Sequence, residues 1–325
     1  MKTKKPDIFL GITMCMLVLA AVLCIVILWV QKSDNNPKPS DPALDSGNVS
    51  QTGETPHTNT DSTNSTNVTP STDAVTNIEV KQIDSEKLQA ALDESLRGLT
   101  SEWQVMVIDP ANDTRVGSAV NCGVDDWMTA NRMTQVYIMA TVFQQAQDGT
   151  LVLDDVLDDV KAMITANDTY AADRLTEKLG DGDAAAGREK VKTFAVDNGT
   201  KLGFNRPLTG NDKAKNYVTA QKTAELLNLL CAGKLVSEAA SKQMLDILLT
   251  PVESPEIDTG LTGDGVRFGF IHDVEEKTCI CSMGVVQLQN RNYVVSVVCN
   301  KPVTTEGAKK KVTELISMTL PYFAE

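Results

Sequence analysis

"MTANRMTQVYIMATVFQQAQDGTL", Met128 to Leu151, is the stretch on which the reading of the fold turns. Its centre, Val136 to Phe143, is apolar on every side, and a helix without a polar stripe is one that neighbours surround completely. Gly149 then stops it. The stretch predicts a central helix enclosed by the rest of a domain, which constrains where the other elements go.

Upstream, "DSEKLQAALDESLRGL", Asp84 to Leu99, opens on an acidic cap and spaces Leu88, Leu92, Leu96 and Leu99 along one helical face. "WQVMVID" and "RVGSAV" follow, joined by the turn residues "PANDT", and read as a hairpin. Downstream, helical patterns cover about Leu153–Ile164, Thr169–Leu179 and Ala184–Asn198, with two more in "NYVTAQKTAELLNLLCAGKL" and "SEAASKQMLDILL". Three β-branched runs at hairpin spacing, "VRFGFIHDV", "TCICSMGVVQL" and "NYVVSVVC", precede a last helix from about Thr304 to Leu320. Two sets of strands separated by a block of helices predict an α/β (α+β) sandwich. Its five-stranded antiparallel sheet is flanked by the terminal helices, with an all-helical subdomain inserted over about residues 131–250.

Ahead of this domain, "IFLGITMCMLVLAAVLCIVILWV", Ile8 to Val30, is uncharged and longer than the roughly 20 residues that cross a bilayer as a helix. Lys2, Lys4 and Lys5 precede it and only Lys32 follows closely, so the positive-inside rule puts the N-terminus in the cytoplasm. A secretory signal peptide has a shorter apolar region, roughly 7–15 residues, followed by a small-residue cleavage site. The "LWVQKS" that ends this run offers none. The expected organisation is a cytoplasmic tail over residues 1–7, a transmembrane helix over 8–30, and a Ser/Thr/Asn/Pro-rich stalk over 31–82. The stalk carries too few apolar side chains to offset the entropy of ordering it. An extracellular domain over 83–325 completes a single-pass protein of the cell membrane.

The formal net charge of −13 excludes a phosphate-backbone partner, since nucleic-acid binders gather Lys and Arg on one face. Of the seven cysteines, Cys15 and Cys24 lie in the membrane segment. Cys122, Cys231, Cys279, Cys281 and Cys299 remain, an odd set that implies no complete disulfide framework. Cys279 and Cys281 share a strand face, yet the two histidines, His57 in the stalk and His272, supply too few further ligands for zinc. The pair reads as buried apolar thiols, and neither a metal nor another cofactor is expected.

The element order, together with "VFQQAQDGTLVLDD" and "NDTYAADRLTEKLG", resembles the class A β-lactamases and related penicillin-interacting serine hydrolases over roughly Asp84 to the C-terminus. The resemblance implies a Ser-x-x-Lys at the start of the buried helix, in which serine attacks the lactam or peptide carbonyl and lysine helps move its proton. It also implies a Ser-Asp-Asn loop, a Lys-Thr-Gly strand and a glutamate that activates the deacylating water. Counting back from Gly149, the first motif falls on "RMTQ", with Arg132 for the serine and Gln135 for the lysine. A guanidinium has no free lone pair and an amide is no base near neutral pH. A shifted register brings Ser118, Thr129 or Thr134 into question, but none has a lysine one turn on.

The loop motif falls on Asn167, Asp168 and Thr169, where only the aspartate is kept. The strand motif falls on Gly269, Phe270 and Ile271, without cation or hydroxyl, and between Gly199 and Thr219 the acid present is Asp212. Four departures together suggest a retired catalytic unit, because losing one member removes most of what holds the others in place. The resemblance then implies an inactive domain of a bacterial envelope, binding cell-wall peptide or an envelope partner. The alternatives are an active hydrolase with another nucleophile, such as Thr134, and a scaffold that binds nothing. Arg132 reads either as an ordinary solvated or ion-paired residue or as an anion site reinforced by the helix N-terminus. His272, alone on its strand, reads as a core-edge residue.

Overall fold

The computed structural model describes residues 82–210, 213–252, 255–289 and 291–324. The expected membrane helix at 8–30 and all but the last residue of the stalk lie outside the described residues, as does Asp212. Among the described residues no helix is long and apolar enough to cross a membrane.

Helix α1, Ser85–Leu96, starts where Asp84 accepts the Lys87 backbone N–H at 3.0 Å, and buries Leu88, Leu92 and Leu96. Strands β1 (Glu102–Asp109) and β2 (Thr114–Val120) form the expected hairpin. A two-residue strand β3 (Met128–Thr129) leads through a 3-10 turn, Arg132–Thr134, into α2 (Gln135–Gln147), the predicted central helix. Every residue of α2 from Gln135 to Phe143 is buried, as an all-apolar helix requires.

The helical subdomain continues with α3 (Leu157–Thr165), α4 (Thr169–Leu179) and α5 (Ala184–Asp197). The pattern read as one helix from Leu153 splits into a 3-10 turn, Leu153–Asp155, and α3. Helices α4 and α5 touch at Gly187, where an added Cβ would fall 1.8 Å from the Thr176 carbonyl oxygen. No other residue fits that crossing. The stretch read as a helix from Asn216 begins instead as strand β4 (Tyr217–Val218), paired antiparallel with β3. Thr219, whose hydroxyl accepts the Lys222 N–H at 3.0 Å, sets the start of α6 (Ala220–Cys231). Helix α7 (Glu238–Leu248) follows.

Strands β5 (Val266–Glu275), β6 (Cys279–Leu288) and β7 (Arg291–Asn300) complete the sheet, ordered β2-β1-β7-β6-β5 and antiparallel throughout. Helix α8 (Thr305–Ser317) is the terminal helix read from the sequence, and a short α9 (Leu320–Phe323) follows it. One core lies between the sheet and the helical subdomain, centred on α2; the other packs the opposite sheet face against α1 and α8. The β-branched inner strands β6 and β7 are buried on both faces, which is why their sequence reads as continuous apolar runs rather than alternation.

Candidate active site

The site gathers where the first turn of α2 meets the end of β5. Asn131 is placed from behind: its Nδ2 donates to the Leu208 carbonyl at 3.1 Å, and its Oδ1 accepts from Asn216 Nδ2 at 2.8 Å. Asn300 fixes the preceding strand by accepting the Thr129 N–H at 2.7 Å and donating to its carbonyl at 2.8 Å. These bonds leave the backbone N–H groups of Asn131 and Arg132 facing β5, and both donate to Oδ2 of Asp273, that of Arg132 at 3.1 Å. Such N–H groups at a helix start, without partners in the helix, are where an anion settles. Here the anion belongs to the chain itself.

Asp273 is fully buried, and burial pushes its carboxyl up to about 6, against the two N–H donors and Arg132, which favour the charged form. The Arg132 guanidinium turns away to Glu256, 2.6 Å from its Oε2. Asn167 Nδ2 lies 3.5 Å from the same Oε2 and 3.3 Å from the His272 carbonyl, while its Oδ1 is buried without a partner among the described residues. Asn167 also takes the left-handed backbone, with φ 55°. Asparagine tolerates that conformation better than most residues. Asp168 caps α4 by accepting from Tyr170 and Ala171, at 2.8 and 3.1 Å, and Thr169 is the first residue of that helix.

Arg132 stands between two cavities. One, about 570 Å³, is lined by Arg132, Asn167, Pro251, Glu256, Phe270 and His272. The other, about 480 Å³, is lined by Asn131, Arg132, Tyr170, Arg206, Asp273 and Glu275. Gln135, at the lysine position, is fully buried, and among the described residues neither its amide nitrogen nor its oxygen has a partner. It offers a substrate no base.

The three residues read for the strand motif divide between the sheet's faces. An added Cβ on Gly269 would lie 1.7 Å from the Leu248 carbonyl oxygen. Its role is therefore to let the end of α7 rest on β5. Phe270 packs into the core beneath α1 and α8, and Ile271 into the core around α2. The residue of β5 that reaches the start of α2 is Asp273, two positions further along the strand and therefore on the same face as Ile271. Sequence reasoning passed over it, as it did Glu256. An inward charge in the alternation of "VRFGFIHDV" was the available signal for the first; none marked the second.

Other hydroxyls are committed. Thr134 is buried, its Oγ1 donating to the Asn131 carbonyl at 2.8 Å. Ser118 Oγ bonds Asp93 at 2.6 Å on the far side of the sheet, and Thr129 is held in the β3–β4 pair. His272 Nδ1 lies 3.0 Å from Ser282 Oγ, and burial lowers its pKa to about 4, so the ring is neutral at physiological pH. Ser282 is itself buried between strands, out of reach of a substrate.

The family model for the β-lactamase enzyme family matches residues 155–320, half of the chain. The chain belongs to that family. Solved structures agree on the fold: a β-lactamase from Sphaerobacter thermophilus superposes with a TM-score of 0.59 at 16% identity, over 73% of this chain and 97% of its own. A mutant of the class A β-lactamase of the last common ancestor of Gram-negative bacteria gives 0.61 at 18%, over 73% and 98%. The TLA-1 extended-spectrum β-lactamase gives 0.63 at 14%, over 74% and 99%. No curated protein matches the sequence. Within the family's fold, then, the start of the central helix carries Arg132 and Gln135, with a carboxylate seated on its N–H groups.

Proposed function

We propose that this chain is a membrane-anchored, extracytoplasmic member of the β-lactamase family that does not acylate, and that its cleft recognises a cell-wall peptide or an envelope partner instead. The observation that carries the reading is the Asp273 carboxylate on the N–H groups of Asn131 and Arg132. An acyl-transfer site needs a hydroxyl at this turn and free N–H donors for the oxyanion that forms when it attacks. Arg132 supplies no hydroxyl, and Asp273 holds the donors with a negative charge that would repel an oxyanion. The tether rests on the apolar run Ile8–Val30 and the lysines before it.

Recognition without chemistry draws on the two cavities and the groups that flank them: the Arg132–Glu256 pair, Asn167, Tyr170 and Arg206. A peptide carboxylate would bind by displacing Glu256 from the guanidinium. The test uses the full chain in mild detergent, incubated with a reactive penicillin and weighed intact. The expected mass is unchanged, and a penicilloyl adduct would overturn the non-acylating reading. Restoring Arg132→Ser with Gln135→Lys is expected to yield no nitrocefin turnover while Asp273 remains. Binding of a muropeptide, followed by calorimetry, should weaken in Arg132→Ala; equal affinity in the variant removes the recognition half of the proposal.

A further inference from the structure

The end of the β5–β6 hairpin collects three metal-ligating side chains on the face that looks toward α2. Asp273 pairs directly with Cys281, and Cys279 sits one pair nearer the turn on that face, opposite Glu275. Because strand side chains alternate, Asp273, Cys279 and Cys281 all project to the same side. A carboxylate oxygen and the two Sγ atoms lie within 4.8 Å of one another, with Cys279 Sγ 3.7 Å from Asp273 Oδ2. All three residues are buried, and both thiols are free. Counting histidines for a zinc site overlooked this arrangement, because the third ligand is an aspartate brought across from the neighbouring strand.

Charge balance makes the cluster different from an ordinary patch of buried thiols. A buried carboxylate needs a cation or a full set of donors. Asp273 has two backbone N–H groups, while the guanidinium of Arg132 is paired with Glu256. That of Arg206 is paired with Glu275 at 3.0 Å. Among the described residues the other three cysteines join no such cluster: Cys299 packs in the core on the opposite sheet face, Cys231 belongs to α6, and Cys122, just past β2, turns its Sγ to the Trp103 and Val120 carbonyls.

We propose that Asp273, Cys279 and Cys281 form a binding site for a thiophilic divalent ion of the zinc type. Two soft thiolates with one carboxylate are a donor set that selects such an ion over magnesium or calcium. Zinc bonds of about 2.3 Å to sulfur and about 2.0–2.2 Å to oxygen place tetrahedral ligands roughly 3.5–3.8 Å apart, so small side-chain adjustments close the cluster around it. Binding releases one proton from each thiol, and the two thiolates with the carboxylate hold the dication. The cavity lined by Asp273 and Thr278, the neighbour of Cys279, reaches the carboxylate side of the cluster. The ion would clamp the β5–β6 turn against the first turn of α2 through Asp273.

The test titrates the full chain, reduced and chelator-treated in mild detergent, with Co²⁺ and separately with Zn²⁺. The expected result is one ion per chain and a thiolate-to-cobalt charge-transfer band. That band should weaken and need more Co²⁺ in Cys279→Ser and in Cys281→Ser, vanish when both are serine, and persist unchanged in Cys299→Ser. Asp273→Asn should keep the band but shift it to higher Co²⁺ concentration. A missing band in the wild type, one undiminished in either of the first two serine variants, or one that survives in the double variant overturns the proposal. If those variants fail to fold, zinc protection of Cys279 and Cys281 from alkylation in the wild type, mapped by peptide mass, decides the matter: equal labelling with and without zinc counts against the site. A Cys279–Cys281 disulfide in the protein as isolated also overturns it.

Discussion

Two buried aspartates on the same sheet are held in opposite ways. Asp109, at the end of β1, is fully buried and meets the Arg291 guanidinium at 2.5 Å, Asn112 Nδ2 at 2.8 Å and the Ala111 N–H at 3.2 Å. The guanidinium rests over the Phe323 ring, 5.0 Å from its centroid, and ties β1 and β7 to the C-terminal helix. Asp273, at the end of β5, has no dedicated cation among the described residues and sits on the N–H groups of a helix start. The first is a strut, with its charge neutralised inside the structure. The second rests on backbone N–H groups at a helix start, where anions settle, and the two differ in what neutralises them.

The largest effect expected from breaking that contrast is at the strut. Asp109→Ala leaves Arg291 buried without its carboxylate, and removing one partner of a buried pair costs about 3–5 kcal/mol. Urea unfolding of the full chain should show a midpoint lowered accordingly. A loss below about 1 kcal/mol, the range of an exposed pair, would mean that Arg291 finds water readily. The two aspartates would then be less different than their surroundings indicate.

A smaller effect, with an opposed sign at neighbouring residues, concerns pH. Asp273 is raised from 3.8 to about 6 by burial. The stability it contributes is therefore full below about pH 4 and is lost as pH rises toward 6. His272 is lowered from 6.5 to about 4, also by burial. Its contribution is full above about pH 6.5 and is lost as pH falls toward 4. Each amounts to something on the order of 3 kcal/mol, so in chelator-treated protein the two slopes nearly cancel between pH 4 and 6.5. Asp273→Asn should expose the histidine, making stability fall more steeply on acidification than in the wild type. His272→Gln should expose the aspartate, making it fall on raising the pH from 4 to 6. Unfolding curves collected across this range check both, and parallel profiles for all three proteins would show that neither group titrates as its burial requires.

How much of this was legible in the sequence follows from the range of each interaction. The central helix announces itself in "VYIMATVF" because burial on all sides is written in consecutive residues, and the sheet strands do so through β-branched runs. Strands β3 and β4 do not, since two residues have no periodicity and their pairing joins Met128 to Val218. Caps such as Asp84 and Asp168 are local and readable; the grip of Asp273 on Arg132 spans 141 positions, and that of Glu256 spans 124. The absence of a hydroxyl and a base at Arg132 and Gln135 could be read from motif spacing. That Asp273 sits on this turn could not, because it depends on which strand edge the helix start faces.

The smallest effect expected is at Arg132 itself. Its ion pair with Glu256 is partly exposed, with 25% of the Arg132 and 38% of the Glu256 side-chain surface accessible. Pairs in such a setting contribute about 0–1 kcal/mol, since solvent screens them and ordering two long side chains opposes them. Arg132→Ala should therefore shift the unfolding midpoint within that range, well below the change at Asp109. A loss above about 2 kcal/mol, closer to the cost of breaking a buried pair, would make Arg132 a strut of the same kind as Arg291, with no freedom to exchange Glu256 for a ligand. A near-neutral variant leaves Arg132 held loosely at the divide between two cavities, as the proposed exchange of Glu256 for a ligand requires.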